Sequence, residues 1–252
     1  MTSMGKSNRI HRLFQEDDKV FIVAMDHGAY GIVEGLENLG KIINVVAEAG
    51  ADAVMANIGM VKNYAAEIAG KIALVATTEY NDYGIREALK VDAVAVKTTY
   101  AGAVPPDDIM KERIKRVALK CNEWSIPYMA EYLPTDVNGN FIFEIDVVKK
   151  ASRILAELGA DMVKTIYTGN PETFRKVVEA CPVPIIIAGG PKIGDDEGLI
   201  RMVKESIESG AKGVAIGRNI WQHKAARKVV MAIKGIIHEN MSIKEALEII
   251  EK

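Results

Sequence analysis

The sequence predicts an α/β protein of the (β/α)8 TIM-barrel class. Two observations carry this: eight short apolar runs, each followed by a helix-type pattern, and glycines recurring directly before strands. Gly50, Gly159 and Gly210 stand in Ala-Gly-Ala, Leu-Gly-Ala and Ser-Gly-Ala, where a residue at positive φ ends a helix and a small residue enters the next strand. No linker or low-complexity stretch interrupts the series, so residues 1–252 read as one domain. A doubly wound open sheet is the rival. It usually has fewer strands, and its first strand would need a glycine-rich phosphate loop that Asp26-His27-Gly28 does not supply.

In chain order, Ile10, Leu13 and Phe14 predict a short helix over about 8–18, lying under the rest of the chain. The first strand is Val20 to Met25 and ends in Asp26-His27-Gly28; a helix over 36–49 stops at Gly50, and the second strand is 51–56. The third strand is 72–76 and the fourth 92–97, separated by a short helix over 83–90. Pro105-Pro106-Asp107-Asp108 opens a helix toward Trp124, and 127–132 is the fifth strand. A helix over 143–158 precedes the sixth strand, which carries Lys164. Asn170-Pro171 caps and starts the next helix, since proline at the first position sacrifices no intrahelical bond. Strands over 184–188 and 212–216 flank a helix over 195–208. A helix from Trp221 to about His238 comes after them, and Ser242-Ile243-Lys244-Glu245 is a capping box for a last helix over about 242–251.

Composition narrows the function. Apolar residues at 49% and charged residues at 26% suit an ordinary soluble chain, and a formal charge of −2 gives no footprint for nucleic acid or membrane. Neither the two cysteines nor the four histidines show metal-ligand spacing, so no metal is expected. No signal-peptide core or long apolar run is visible, and a cytoplasmic protein is expected.

The sixth strand places a lysine inside an apolar run, Gly159-Ala-Asp-Met-Val-Lys164-Thr-Ile-Tyr167. Burial disfavours an ammonium, and a neutral amine is a nucleophile suited to imine formation with a carbonyl. The plain alternative is an amine that escapes to solvent at the strand end. Barrel chemistry sits at the C-terminal strand ends. Those ends offer Asp26 and His27, Asn57, Thr77 to Glu79, Lys97, Glu131 and Tyr132, Lys164, Gly189-Gly190, and Gly217-Arg218. Charges at most of the eight ends favour a functional amine. Asp26 could hold a substrate hydroxyl or the amine, or merely cap its loop; His27 faces the mouth or its own loop. Lys97 competes with Lys164 as nucleophile and is read as its helper. Ala188-Gly189-Gly190-Pro191-Lys192 and Gly217-Arg218, the latter opening a short helix, read as a phosphate cradle with Lys192 as counter-charge.

From about residue 19 to 235 these motifs, above all Gly210-Ala-Lys-Gly-Val-Ala-Ile-Gly-Arg218-Asn-Ile-Trp-Gln222, resemble the archaeal-type class I fructose-bisphosphate aldolases, within the group that includes deoxyribose-phosphate aldolase. The resemblance implies a metal-independent aldolase whose imine forms on Lys164, with Asp26 at the first strand and phosphate at Gly189, Gly190, Gly217 and Arg218. It needs no cofactor beyond that covalent imine. The expected substrate is a phosphorylated sugar, foremost fructose 1,6-bisphosphate cleaved to dihydroxyacetone phosphate and glyceraldehyde 3-phosphate. Relatives commonly form homo-oligomeric rings of five or ten. One departure stands out. The family usually carries Tyr-Pro-Arg-Gly after the fifth strand, with the tyrosine as proton shuttle. Aligned on Pro134, Leu133 and Thr135 occupy the tyrosine and arginine positions, leaving Glu131 or Tyr132 as acid–base candidates. Side chains alternate along a strand, so Tyr132 faces the other way unless a bulge intervenes. An aminodideoxyheptulosonate synthase, a lysine-dependent thiolase and a catalytically silent phosphosugar-binding barrel are the alternatives.

Overall fold

Eight parallel strands pair in sequence order, β1 to β8, and β8 closes on β1. The structure is a computed structural model and describes residues 3–31, 33–190 and 192–252. The strands are β1 Val20–Ala24, β2 Ala53–Asn57, β3 Ala73–Thr77, β4 Ala95–Gly102, β5 Tyr128–Pro134, β6 Met162–Ile166, β7 Ile185–Ala188 and β8 Gly213–Ile216. Alternation splits their side chains into two apolar layers. Ile22, Ala24, Met55, Val75, Met129, Met162 and Ile186 fill the barrel. Phe21, Val23, Val54, Val96, Tyr128, Tyr132 and Val163 pack outward against the helices. Closure needs a close approach at Gly213, where a Cβ would lie 2.1 Å from the Val20 carbonyl oxygen, so only glycine fits.

The glycine stops behave as the sequence predicts, with Gly50, Gly159 and Gly210 at φ of 95°, 97° and 101°. Asn170 accepts from the Glu172 and Thr173 amides ahead of Pro171, and both halves of the Ser242–Glu245 capping box form. Most boundaries fall within three residues of those expected, and three elements differ by more. The first helix is Met4–Leu13 rather than about 8–18, because Ser3 caps it at the Lys6 amide and Gln15 turns back onto the Lys19 carbonyl. Its Leu13 enters the barrel interior and plugs the end opposite the mouth. The short helix expected at Arg218 is Arg218–Trp221, whereas the helix expected from Trp221 begins only at Ala226 and ends at His238. Strand β4 starts later and runs five residues past Lys97, paired along its length with β5.

His238 ends its helix at the closed end of the barrel. Its Nδ1 lies 3.1 Å from Asp17 and its Nε2 3.0 Å from Asp52, whose carboxylate also accepts from the Phe21 amide at 2.6 Å. Burial opposes the imidazolium, but the hydrogen bonds and charges of Asp52 and Asp17 outweigh it and raise the ring above its ordinary 6.5. Lys19, paired with Asp17, is the competing cation. A raised folded-state value means the stabilisation is complete below pH 6.5 and fades as pH climbs through the higher native value. Thermal denaturation should therefore show wild type losing about 1 kcal/mol relative to His238→Gln on going from pH 6 to pH 9. A pH-independent difference between the two would contradict this.

Candidate active site

Side chains at i and i+2 of a strand share a face, so the inward residues continue the barrel layers up to the mouth. Ala24 is followed by Asp26, Met129 by Glu131 and Leu133, and Met162 by Lys164 and Ile166. Register aligns Thr99 with Glu131 and Glu131 with Lys164, on β4, β5 and β6. Thr77 of β3 pairs with Lys97. All of these but Met129 and Met162, which lie in the core beneath, line a cavity of about 630 Å³ at the C-terminal ends of the strands.

Four buried charges form one chain of contacts. Lys164 Nζ lies 2.6 Å from Glu131 Oε1, and Lys97 Nζ lies 2.6 Å from Glu131 Oε2. Lys97 also reaches Asp26 Oδ2 at 2.8 Å, where the Thr77 hydroxyl donates at the same distance. Thr99 donates to Glu131 Oε2 at 2.8 Å, and Asn57 Nδ2 donates to the Asp26 carbonyl at 2.7 Å. None of the four charged residues is more than 9% exposed. Two ammoniums and two carboxylates cancel, which is how such a cluster tolerates burial. The environment of Lys164 thus differs from the hydrocarbon walls expected from its strand: a carboxylate touches the amine.

The titration directions follow from this packing. Burial would raise Glu131, but Lys164 and Lys97 together push it down to about 2. Asp26 is likewise held well below the usual carboxylate range, burial being outweighed by the charges of Lys97 and Lys164 and by hydrogen bonds from Lys97 and Thr77. For Lys97 burial is overcome by Glu131 and Asp26, which lift it far above its ordinary value. Lys97 is therefore a fixed cation clamping two carboxylates. Burial lowers His27, whose ring lines the cavity edge-on to Trp221 with Nδ1 3.8 Å from Asp26 Oδ1. Burial also raises the Tyr80 phenol to about 12, so it stays un-ionised at the rim.

The other side of the mouth, at β7 and β8, is built from backbone. Gly189, Gly190 and Gly217 line the cavity, and Gly190 has φ of 65°. A Cβ at Gly217 would lie 2.6 Å from the Ala24 carbonyl oxygen. Asn219 Nδ2 donates to the Gly189 carbonyl while its Oδ1 accepts from Ile193, and Trp221 Nε1 donates to the Ala24 carbonyl. These bonds pin both loops against the barrel. Arg218 donates from Nη2 to the Gly190 carbonyl at 3.1 Å, and its buried Nε has no hydrogen-bond partner among the described residues. A guanidinium with a donor in reserve, beside bare glycine backbone, is suited to an anion.

Several sequence expectations change here. Tyr132 faces outward: it is fully buried between barrel and helices, its hydroxyl donates to the Ala103 carbonyl, and its ring meets Tyr100 edge-on. It does not reach the cavity, because Glu131 takes the inward position on the same strand. Lys192 is exposed, lies outside the cavity lining and contacts the Gln222 carbonyl at 3.5 Å. Pro191 of the expected cradle lies outside the described residues. The short helix at Arg218–Trp221 is a single turn, too few aligned peptides for a sizeable dipole. Thr99 was missed, and the β-branched pair Thr98-Thr99 after Lys97 was the available signal. Leu133 and Phe141 also line the cavity. Among the described residues no three or more His, Cys, Asp or Glu side chains cluster to hold a metal ion, and no helix is long and apolar enough to cross a membrane.

The model of the DeoC/LacD family of aldolases matches residues 20–223. The fructose-bisphosphate aldolase class 1 of Thermoproteus tenax is 32% identical over 262 residues, covering 94% of this chain and 97% of that protein. The 2-amino-3,7-dideoxy-D-threo-hept-6-ulosonate synthase of Halobacterium salinarum is 30% identical over 263 residues, covering 98% and 97%. A solved Schiff-base-forming fructose-1,6-bisphosphate aldolase superposes with a TM-score of 0.82 at 27% identity, covering 92% of this chain and all of that one. The near-equal identities to the two enzymes leave the substrate open while agreeing on the lineage. With its strand order, its buried lysine and a match over most of its length, the chain belongs to the DeoC/LacD family of aldolases.

Proposed function

We propose that this aldolase works through an imine on Lys164 and cleaves a ketose phosphate, the class to which fructose 1,6-bisphosphate belongs. The observation that carries the reading is the Lys164 amine, 5% exposed, at 2.6 Å from Glu131 in a cavity that also presents the Gly189, Gly190, Gly217 and Arg218 rim. Glu131 takes a proton from the Lys164 ammonium, and the amine adds to the ketone carbon to give a carbinolamine. The same carboxyl returns a proton to the carbinolamine oxygen, which leaves as water and produces the iminium. Asp26 Oδ1, which faces His27 at 3.8 Å while Oδ2 is tied to Lys97 and Thr77, is placed to receive the substrate hydroxyl proton. As that O–H breaks, a carbonyl forms, the adjacent C–C bond breaks, and its electron pair moves onto the iminium nitrogen as an enamine. The aldehyde leaves; protonation and hydrolysis of the enamine return the ketone and the free lysine. Lys97, paired with both carboxylates, holds them in place and returns each to its ionised form once it has passed its proton on.

Borohydride reduction in the presence of dihydroxyacetone phosphate tests the reading. Peptide mass analysis should find the reduced three-carbon adduct on Lys164. An unmodified Lys164, or an adduct confined to Lys97, would refute it.

A further inference from the structure

The cavity has two unlike ends. At β7 and β8 lies the anion cradle with Arg218. Around the other side, after β2, β3 and β5, the wall is Met60, Glu79, Tyr80, Leu133 and Phe141. Among the described residues that line the cavity, the cations are Lys97, Lys164 and Arg218. Lys97 is neutralised by Asp26 and Glu131, Lys164 is the nucleophile, and Arg218 belongs to the cradle. The far wall thus offers a phosphate no positive charge. It presents instead a carboxylate, since Glu79 is exposed at the rim and makes no ion pair among the described residues. The un-ionised Tyr80 and the side chains of Met60, Leu133 and Phe141 complete a surface that favours carbon and hydroxyl groups.

We infer that the substrate carries a single phosphate, on the ketone half seated at Gly189, Gly190 and Arg218, and that the aldehyde half facing Glu79, Leu133 and Phe141 is unphosphorylated. The inference rests on the imine reading above and departs from the bisphosphate expected from sequence. Position supports the assignment of ends. Lys164, which takes the ketone carbon, is on β6, directly paired with β7, so the cradle lies beside the ketone half. The aldehyde half then extends toward β3 and β5. A second phosphate there would be desolvated against apolar side chains and repelled by Glu79, with no counter-charge in return.

Condensation separates the two claims, since dihydroxyacetone phosphate is common to both acceptors compared. With the full chain, kcat/KM for D-glyceraldehyde should exceed that for D-glyceraldehyde 3-phosphate by about tenfold or more. Glu79→Gln should narrow that ratio by about threefold, more so at low than at high ionic strength. Equal use of the two acceptors, or preference for the phosphorylated one, while borohydride still traps the imine, would overturn the single-phosphate inference and leave the imine reading standing. Failure to trap any imine with dihydroxyacetone phosphate would remove the imine reading, and this inference with it.

Discussion

Lys164→Ala should lower turnover of a ketose phosphate by at least about 10⁴-fold and abolish borohydride trapping, because the proposed mechanism draws its electron sink from the Lys164 amine. The loss has to be separated from simple disruption of the charge cluster. Removing Lys164 leaves Glu131 with Lys97 at 2.6 Å and with the Thr99 hydroxyl, so the carboxylate keeps a counter-ion and the barrel remains assembled. Lys164→Arg makes the separation sharper. A guanidinium preserves the positive charge beside Glu131 yet forms no imine with a ketone. Both variants should be equally inactive and both should still fold cooperatively by circular dichroism. An active Lys164→Arg would show that charge rather than nucleophilicity is what position 164 supplies, and the imine mechanism would not survive that result.

Much of this frame was legible in the residues themselves. Strand runs alternate with helical patterns, and Gly50, Gly159 and Gly210 mark where one gives way to the other, because positive φ at a helix end is a local demand. The site residues at strand ends were legible for the same reason: once a barrel is inferred, its active face is known. What was not legible depends on contacts between strands. Lys164 read alone looks like an amine in hydrocarbon, and its partner Glu131 lies 33 positions earlier; the pair exists because β5 and β6 align those two residues. Thr99 escaped notice because the apolar run ends at Val96, whereas β4 is sustained further by pairing with β5 as far as Gly102. The first helix was misplaced because its apolar residues lie near its C-terminal end, while the cap that starts it is the inconspicuous Ser3. Alternation did anticipate the outward turn of Tyr132, and Leu133, at the position where the family usually has its tyrosine, does line the cavity.

Glu131→Gln should damage stability and chemistry together, since this carboxylate is the shared partner of two buried ammoniums. The amide keeps the shape but leaves Lys97 with Asp26 alone and Lys164 without its carboxylate. Breaking a buried ion pair from one side costs about 3–5 kcal/mol. In a chain of this size that lowers the melting temperature by on the order of 10 °C. The sign of the pH dependence is fixed by Glu131 lying at about 2 in the native state against an ordinary 4.5. Its contribution is complete above pH 4.5 and is lost as pH falls toward 2, so denaturant titrations should show wild type and variant converging in acid. For chemistry, losing the group proposed to shuttle the Lys164 proton should reduce the rate of imine formation by about 10²–10⁴-fold. Glu131→Asp distinguishes the two effects. A shorter carboxylate keeps the cluster neutral and should recover most of the stability, while its retreat from Lys164 leaves imine formation slow. Should Glu131→Asp instead trap dihydroxyacetone phosphate as fast as wild type, Glu131 would be a structural counter-ion and the proton shuttle would have to lie elsewhere in the cavity.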